Sequence, residues 1–294
     1  MRERLDFSRG SSRRRSFRHL ARSLTAAAIS LAIAVPVSGN ALPVTTIAAP
    51  AERGPALWVV QDSDTTIFLF GTFHALDSST SWFGNSIRAA FNASDELVLE
   101  TLVPHDPTAL HTAVSRHTVM SEPRVGEPVY GAGNAPSFVA SAGQAMSAGR
   151  QIGMSVDNGA DFVLRRAAEA SGKPVDGLES FEFQLNMFQT LPAAPQSATR
   201  ASSSLPGFIG NMQSAWKRGD NGAFMTLLGT MRAESPQTYR TLFVDRNNNW
   251  AGWIANRMGQ PGTVFIAVGT GHLVGPDSVQ HQLAARGITS SRIS

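Results

Sequence analysis

The sequence predicts an α/β protein, a mixed β-sheet core with flanking helices, and three observations carry that reading. Apolar runs of strand length stand at Thr66–Phe70, Leu97–Leu99 and Thr263–Val268, of the kind found in strands covered on both faces. Helical periodicity fills most of the chain from Pro136 onward. Near the two ends, Gly71-Thr72-Phe73-His74 and Gly269-Thr270-Gly271-His272 repeat one pattern directly after such a strand, which gives two strand–Gly-Thr-x-His–helix units.

Composition bounds the chemistry. With 294 residues, 42% hydrophobic and 16% charged, and with 26 Gly and 16 Pro, the chain is globular rather than disordered, collagenous or coiled-coil. It contains no Cys. That excludes a disulfide scaffold, thiolate-bound zinc or iron–sulfur and a thiol nucleophile, and it leaves His, Asp and Glu for strong metal ligation.

The net charge of +3 is unevenly placed. Residues 1–41 hold eight arginines (2, 4, 9, 13, 14, 15, 18 and 22) against Glu3 and Asp6; of 25 basic and 22 acidic residues, 17 and 20 therefore lie beyond Ala41, a net of −3. The arginine-rich start, the apolar stretch Leu24–Val35 and the small residues Gly39 and Ala41 around Asn40 read as a cleavable signal peptide over 1–41, cut after Ala41. The apolar stretch, about 12 residues before Pro36, falls short of the roughly 20 that a spanning helix needs, so no stable membrane span is expected after cleavage. Arg14-Arg15-Ser16-Phe17 admits twin-arginine as well as general secretory export. The expected location is periplasmic or secreted, in a bacterium. Beyond the leader, Lys173 and Lys217 are the only lysines, and no nucleic-acid partner is expected.

The remaining elements follow in order. Residues 42–55 are an Ala/Pro-rich extended lead-in, and 56–294 form one domain. Leu57–Val60 and Thr66–Phe70 make a hairpin around Asp62-Ser63-Asp64, a turn signal between two strand patterns. A helix covers 85–92, and Glu100 is the first charged residue after the run Leu97–Leu99. Five prolines between 103 and 136 predict loop, with a helix over 107–119. A helix covers 158–170 with Asn158 near its N-cap; Gly172 ends it and Pro174 keeps it from restarting. Val175–Leu178 is a short strand. Helices follow at 181–190, 206–218, 221–232 and 236–258, with the Pro/Ala/Ser tract 192–206 as a flexible connection. Strand Thr263–Val268 and helix Ser278–Ala285 complete the domain.

A buried strand that ends in Gly releases the backbone and delivers the residue three later to the rim where open α/β sheets place their ligands. Two such units from opposite ends of the chain can bring His74 and His272 to one crevice, and converging imidazoles suit a divalent metal. Glu100 and Glu179 stand at the same kind of strand end. The structural alternative for each histidine is a bond to a backbone carbonyl, and for each glutamate a helix cap or half of an ion pair. His105, His111 and His117, six residues apart, share no helix face and read as solvated surface. His281 lies on the last helix. Trp250, Trp253, Ile254 and Met258 read as helix packing. Arg246, beside Asn247, either clamps an anionic group or pairs with a carboxylate. No G-x-S-x-G elbow, P-loop or strand-borne G-x-G-x-x-G is present, which leaves serine hydrolase, nucleotidase and dehydrogenase readings without support.

At these residues the sequence resembles the TraB/GumN family, related to the Tiki metalloproteases and to a wider superfamily with erythromycin-esterase-like and haem-binding members. The likeness starts at Ala56-Leu57-Trp58 and continues through Leu69-Phe70-Gly71-Thr72-Phe73-His74, Leu97-Val98-Leu99-Glu100, and Gly172-Lys173-Pro174-Val175 running into Gly177-Leu178-Glu179. Arg246-Asn247 with Trp250 and Gly269-Thr270-Gly271-His272-Leu273-Val274-Gly275-Pro276 complete it. The resemblance implies an erythromycin-esterase/TraB/Tiki-like core with a crevice lined by both histidines and both glutamates. It also implies metal-dependent proteolysis, with His74 and His272 from the two Gly-x-x-His motifs and Glu100 as ligand or general base. Residues 103–136 match no family block.

The expected function is therefore an exported metal-dependent hydrolase of a peptide or small-molecule substrate. His74, His272 and Glu100 or Glu179 would hold Mn, Co or Zn, the other glutamate would take a proton from water, and Arg246 would bind a substrate carboxylate or the developing oxyanion. A non-catalytic periplasmic binding protein for haem, a porphyrin or a polysaccharide-related ligand is the alternative, with Phe73 and Met258 against an apolar ring. N-terminal sequencing of the protein recovered from the periplasm or medium is expected to begin at Leu42; a chain that retains residues 1–41 there would contradict the signal peptide.

Overall fold

The computed structural model describes residues 54–106, 108–113, 138–191 and 205–294. The expected signal peptide, most of the proline-rich stretch, His117 and most of the 192–206 tract lie outside them. The hairpin forms as expected: β1 (Leu57–Gln61) pairs antiparallel with β2 (Thr65–Thr72) from Leu57↔Phe70 to Gln61↔Thr66. Asp62 closes its turn by accepting from the amides of Asp64 and Thr65 at 3.1 and 2.9 Å, an Asx-turn.

The chain then runs through β3 (Leu76–Asp77), α1 (Asn85–Ala93), β4 (Glu96–Thr101), a helical segment at 108–113, α2 (Phe138–Gln151), β5 (Met154–Ser155) and α3 (Ala160–Ala170). Next come β6 (Val175–Glu179), α4 (Phe181–Thr190), α5 (Leu205–Lys217), α6 (Gly222–Glu234) and α7 (Pro236–Tyr239). A π-helical segment, Arg240–Val244, leads into α8 (Asp245–Arg257), β7 (Gly262–Gly269), a 3-10 turn at Thr270–Leu273, α9 (Val279–Ala284) and β8 (Ser290–Arg292).

Six strands form one mixed sheet in the order β6-β4-β7-β2-β1-β8. β6, β4, β7 and β2 run parallel to one another, whereas β1 is antiparallel to both β2 and β8. β7, from the far end of the chain, lies between β2 and β4 and pairs with both. All four parallel strands therefore end at one edge, the edge at which open α/β sheets place their ligands.

The period-2 alternation of β7 divides the core. Phe265 and Ala267 join Phe70, Phe91, Trp82 and Trp216 on one face, while Val264, Ile266 and Val268 join Ile67, Leu69, Val98, Trp250 and Ile254 on the other. With both faces covered, the inner parallel strands β2, β4 and β7 have no polar side, hence their apolar runs.

Three expectations are corrected. After His74 the chain does not enter a helix: Leu76 and Asp77 pair with Ser155 and Met154 in a second, two-stranded sheet, and the first helix starts at Asn85. The helix expected from Asn158 starts two residues later, at Ala160 with Gly159 as N-cap, because Asn158 closes the 3-10 turn Val156–Asn158. The helix expected over 236–258 is interrupted by the π-helical segment, where the widened turn re-aims the residues that follow.

Phe265 is fully buried, with Phe91, Phe70 and Phe68 at 5.7, 5.8 and 6.4 Å between ring centroids. Phe265→Ala is expected to cost about 3–5 kcal/mol in urea denaturation; a loss below about 1 kcal/mol would place the core elsewhere.

Candidate functional site

The strand order brings the expected residues to one edge. Glu100 lies in β4, Glu179 ends β6, His74 follows β2 and His272 stands in the turn after β7. The two glycine turns are neighbours, since Gly71 and Thr72 pair in register with Val268 and Gly269. Thr270 Oγ1 donates to the Thr72 carbonyl at 2.9 Å, and a Cβ on Gly71 would stand 3.0 Å from that hydroxyl. Glycine is needed here for close approach of the two turns.

Arg246, 2% exposed, is the charged centre of the site. Its Nε donates to Glu179 Oε1 at 2.8 Å and its Nη2 to Glu179 Oε2 at 2.7 Å, and Nη2 also bonds Glu100 Oε1. Nη1 reaches the Leu242 carbonyl and His272 Nε2, both at 3.3 Å. Burial opposes the charge, but the two carboxylates outweigh it and hold the guanidinium above its ordinary pKa. Gln184 Nε2 donates to Glu100 Oε1 at 3.1 Å and Glu179 Oε2 at 3.3 Å, and Trp250 Nε1 to Glu179 Oε1 at 3.0 Å. Glu179 is thereby engaged at both oxygens. Glu100 Oε2 is less so: it accepts from the Gly269 amide at 3.2 Å and lies 3.9 Å from His272 Nε2.

The two histidines are held differently. Asn247 Nδ2 donates to the Asp277 carbonyl at 2.7 Å, so its Oδ1 is the atom that meets His272 Nδ1 at 2.6 Å. His272 Nδ1 accordingly carries the proton and Nε2 the lone pair. Burial, then the charges of Arg246 and His74, push the His272 pKa well below the usual range. His74 Nδ1 instead meets Asp161 Oδ2 at 2.6 Å. Burial disfavours its charged form, yet Asp161 more than compensates and the pKa is raised.

His74 Nε2 is buried and has no hydrogen-bond partner, as are Thr72 Oγ1, Thr101 Oγ1 and Gln184 Oε1. Among the described residues six side-chain atoms are in that state. Four of them belong to the ends of β2 and β4 or to the helix that follows β6, which marks this edge as the place of unspent polar capacity. The donor types His74 Nε2, His272 Nε2 and Glu100 Oε2 fit a divalent cation of the Mn, Co or Zn kind. Both imidazoles have Nδ1 tied to an oxygen, the arrangement in which Nε2 serves as ligand. As the described side chains stand, no three His, Asp or Glu groups converge closely enough to hold an ion; Arg246 lies among them.

The TraB/PrgY/gumN family model matches residues 56–127 and 128–292, so the match extends through 103–136, where the sequence was expected to hold no family block. The chain belongs to the TraB/PrgY/gumN family. No curated protein and no solved structure matches it significantly.

In this family member several residues take places that spacing did not reveal. Trp250 belongs to the site: its ring lies 4.4 Å from that of His272 and 4.7 Å from the Arg246 guanidinium. Trp250 stands four residues after Arg246 and three after Asn247, positions that neighbour it on the helix surface, and that was the available signal. Trp253 and Met258 pack against the core as expected. Asp161 and Gln184 carry no motif. Phe73 packs on Trp216 and Phe224, in a different core cluster from Met258, so the two do not flank a common ring. His105 is exposed and meets Glu169 at 2.7 Å.

A raised folded-state pKa at His74 contributes stability that is present below the unfolded value, about 6.5, and is lost as pH rises through the folded one. In metal-free protein the loss of Tm caused by Asp161→Asn should therefore be larger at pH 5.5 than at pH 9. A loss that is the same at both, or larger at pH 9, would contradict the pairing.

Proposed function

We propose that this TraB-family protein is an exported metal-dependent hydrolase that acts on peptide bonds. The observation that carries the reading is His74 Nε2, a buried ligand atom with no partner, on a histidine whose other nitrogen is fixed by Asp161. His74, His272 and Glu100 are the residues that would hold Mn, Co or Zn. When bound, such an ion lowers the pKa of a water toward neutrality.

The chain's own groups do the rest. Asp161 and Asn247 orient the two imidazoles, and the suppressed basicity of His272 keeps its Nε2 lone pair free of a proton. Glu179 anchors Arg246 through two donors. Arg246 Nη1, whose two contacts are the long ones at 3.3 Å, is the donor most readily turned toward an oxyanion. The expected signal peptide over 1–41 supports work outside the cytoplasm.

The test compares wild type with His74→Ala and His272→Ala, prepared without a polyhistidine tag and supplied with Mn, Co or Zn. Near-stoichiometric metal and peptide hydrolysis are expected in the wild type, and both should fall together in each variant. Retained hydrolysis in both variants would sink the reading. A haem Soret shift abolished by the same substitutions, with no metal-dependent hydrolysis, would favour a binding protein instead.

A further inference from the structure

His74 sits on a turn, two residues past the end of β2, and a turn alone does not fix an imidazole. The start of α3 grips it twice. Ala160 N donates to the Phe73 carbonyl at 3.0 Å, and Gly159 packs so closely that a Cβ there would lie 2.1 Å from the His74 carbonyl oxygen. With backbone seated on backbone, Asp161 Oδ2 reaches His74 Nδ1 at 2.6 Å, the side chains being 17% and 10% exposed. An Asp in the first turn of a helix has an ordinary role, to complement the helix dipole. That role requires neither the glycine contact nor a bond to a residue 87 positions away.

We propose that Asp161 is the positioning residue of His74: it holds the proton on Nδ1 and turns the Nε2 lone pair into the site. Its effect on metal affinity rests on the proposed function; its effect on the tautomer does not. The division of labour with His272 is then chemical. A carboxylate backs one imidazole and an amide the other, so the His74 Nε2 is the more basic donor, while Arg246 Nη1 already faces the His272 Nε2 at 3.3 Å.

The experiment is nitrogen-15 NMR of the metal-free protein labelled at histidine, at alkaline pH where imidazoles are neutral, with the His74 signals assigned by their absence in His74→Gln. The wild type should show His74 protonated at Nδ1. Asp161→Ala should shift it toward the Nε2-protonated form that free imidazole side chains prefer, and Asp161→Glu should restore Nδ1 protonation at least in part. Circular dichroism confirms that each variant is folded; if Asp161→Ala does not fold, Asp161→Leu, which fills the space with no acceptor, replaces it, with the tautomer again expected to shift. An unchanged tautomer in a folded variant lacking the carboxylate would overturn the proposal.

Calorimetric titration with Mn, Co and Zn gives the second arm. Affinity should fall about 10–100-fold in Asp161→Ala. A shifted tautomer with unchanged affinity would overturn the ligand-orienting part. If the wild type binds none of the three ions while the tautomer still shifts, the metal reading fails and the positioning role stands.

Discussion

The site depends on one buried cation. Arg246 on α8 is out of water, and a guanidinium there is tolerable only if its charge and its donors are met. Glu100 from β4 and Glu179 from β6 supply the charge, so the pair of bonds fastens the last long helix to the C-terminal ends of two parallel strands. Such a triad is poor evidence of stability, since replacement of all partners by apolar groups is often neutral. Its geometry is better explained by the polar edge it organises. Nη1 faces His272, Trp250 covers the guanidinium and donates to Glu179, and Gln184 bridges the two carboxylates. The π-helical segment before α8 belongs to the same arrangement. Its Leu242 carbonyl accepts from Arg246, and its Phe243 ring lies 5.0 Å from that of His272.

The same cation makes the two histidines unlike. A positive charge 3.3 Å from His272 Nε2 adds to burial in suppressing the imidazolium, and an amide partner offers no charge to counter it. Asp161 gives His74 the opposite environment. Two copies of one Gly-Thr-x-His pattern thus end as one neutral imidazole and one that tends to hold a proton, and the difference comes from neighbours outside the repeat. Sequence symmetry at the motif is not chemical symmetry at the site.

The legible part of the fold was the part governed by local pattern. The hairpin, the buried parallel strands and the Gly-Thr-x-His turns could be read because apolar runs, turn residues and strand-end glycines each have a local cause. Strand order could not, because the insertion of β7 between β2 and β4 is set by packing across some 200 residues of chain. The convergence of His74 and His272 was therefore conditional on sequence alone. Asp161 and Gln184 were invisible for a related reason: an acidic residue in a helix's first turn and a glutamine on a helix are ordinary features until tertiary contact gives them a partner. Trp250 was assigned to packing because an aromatic at helical spacing usually packs. It does so, and its indole N–H also meets Glu179.

Formal charge bears on the proposed cation. Glu100, Glu179 and Asp161 contribute three carboxylates, and Arg246 cancels one. A proton on His74 would cancel a second, and Asp161 and Glu100 favour it against burial and Arg246, which oppose it. The proton that answers this charge would occupy Nε2, the nitrogen that faces the site, since Nδ1 already serves Asp161. A divalent ion held at Nε2 would replace that proton and balance the remaining charge, so proton and metal compete for one atom.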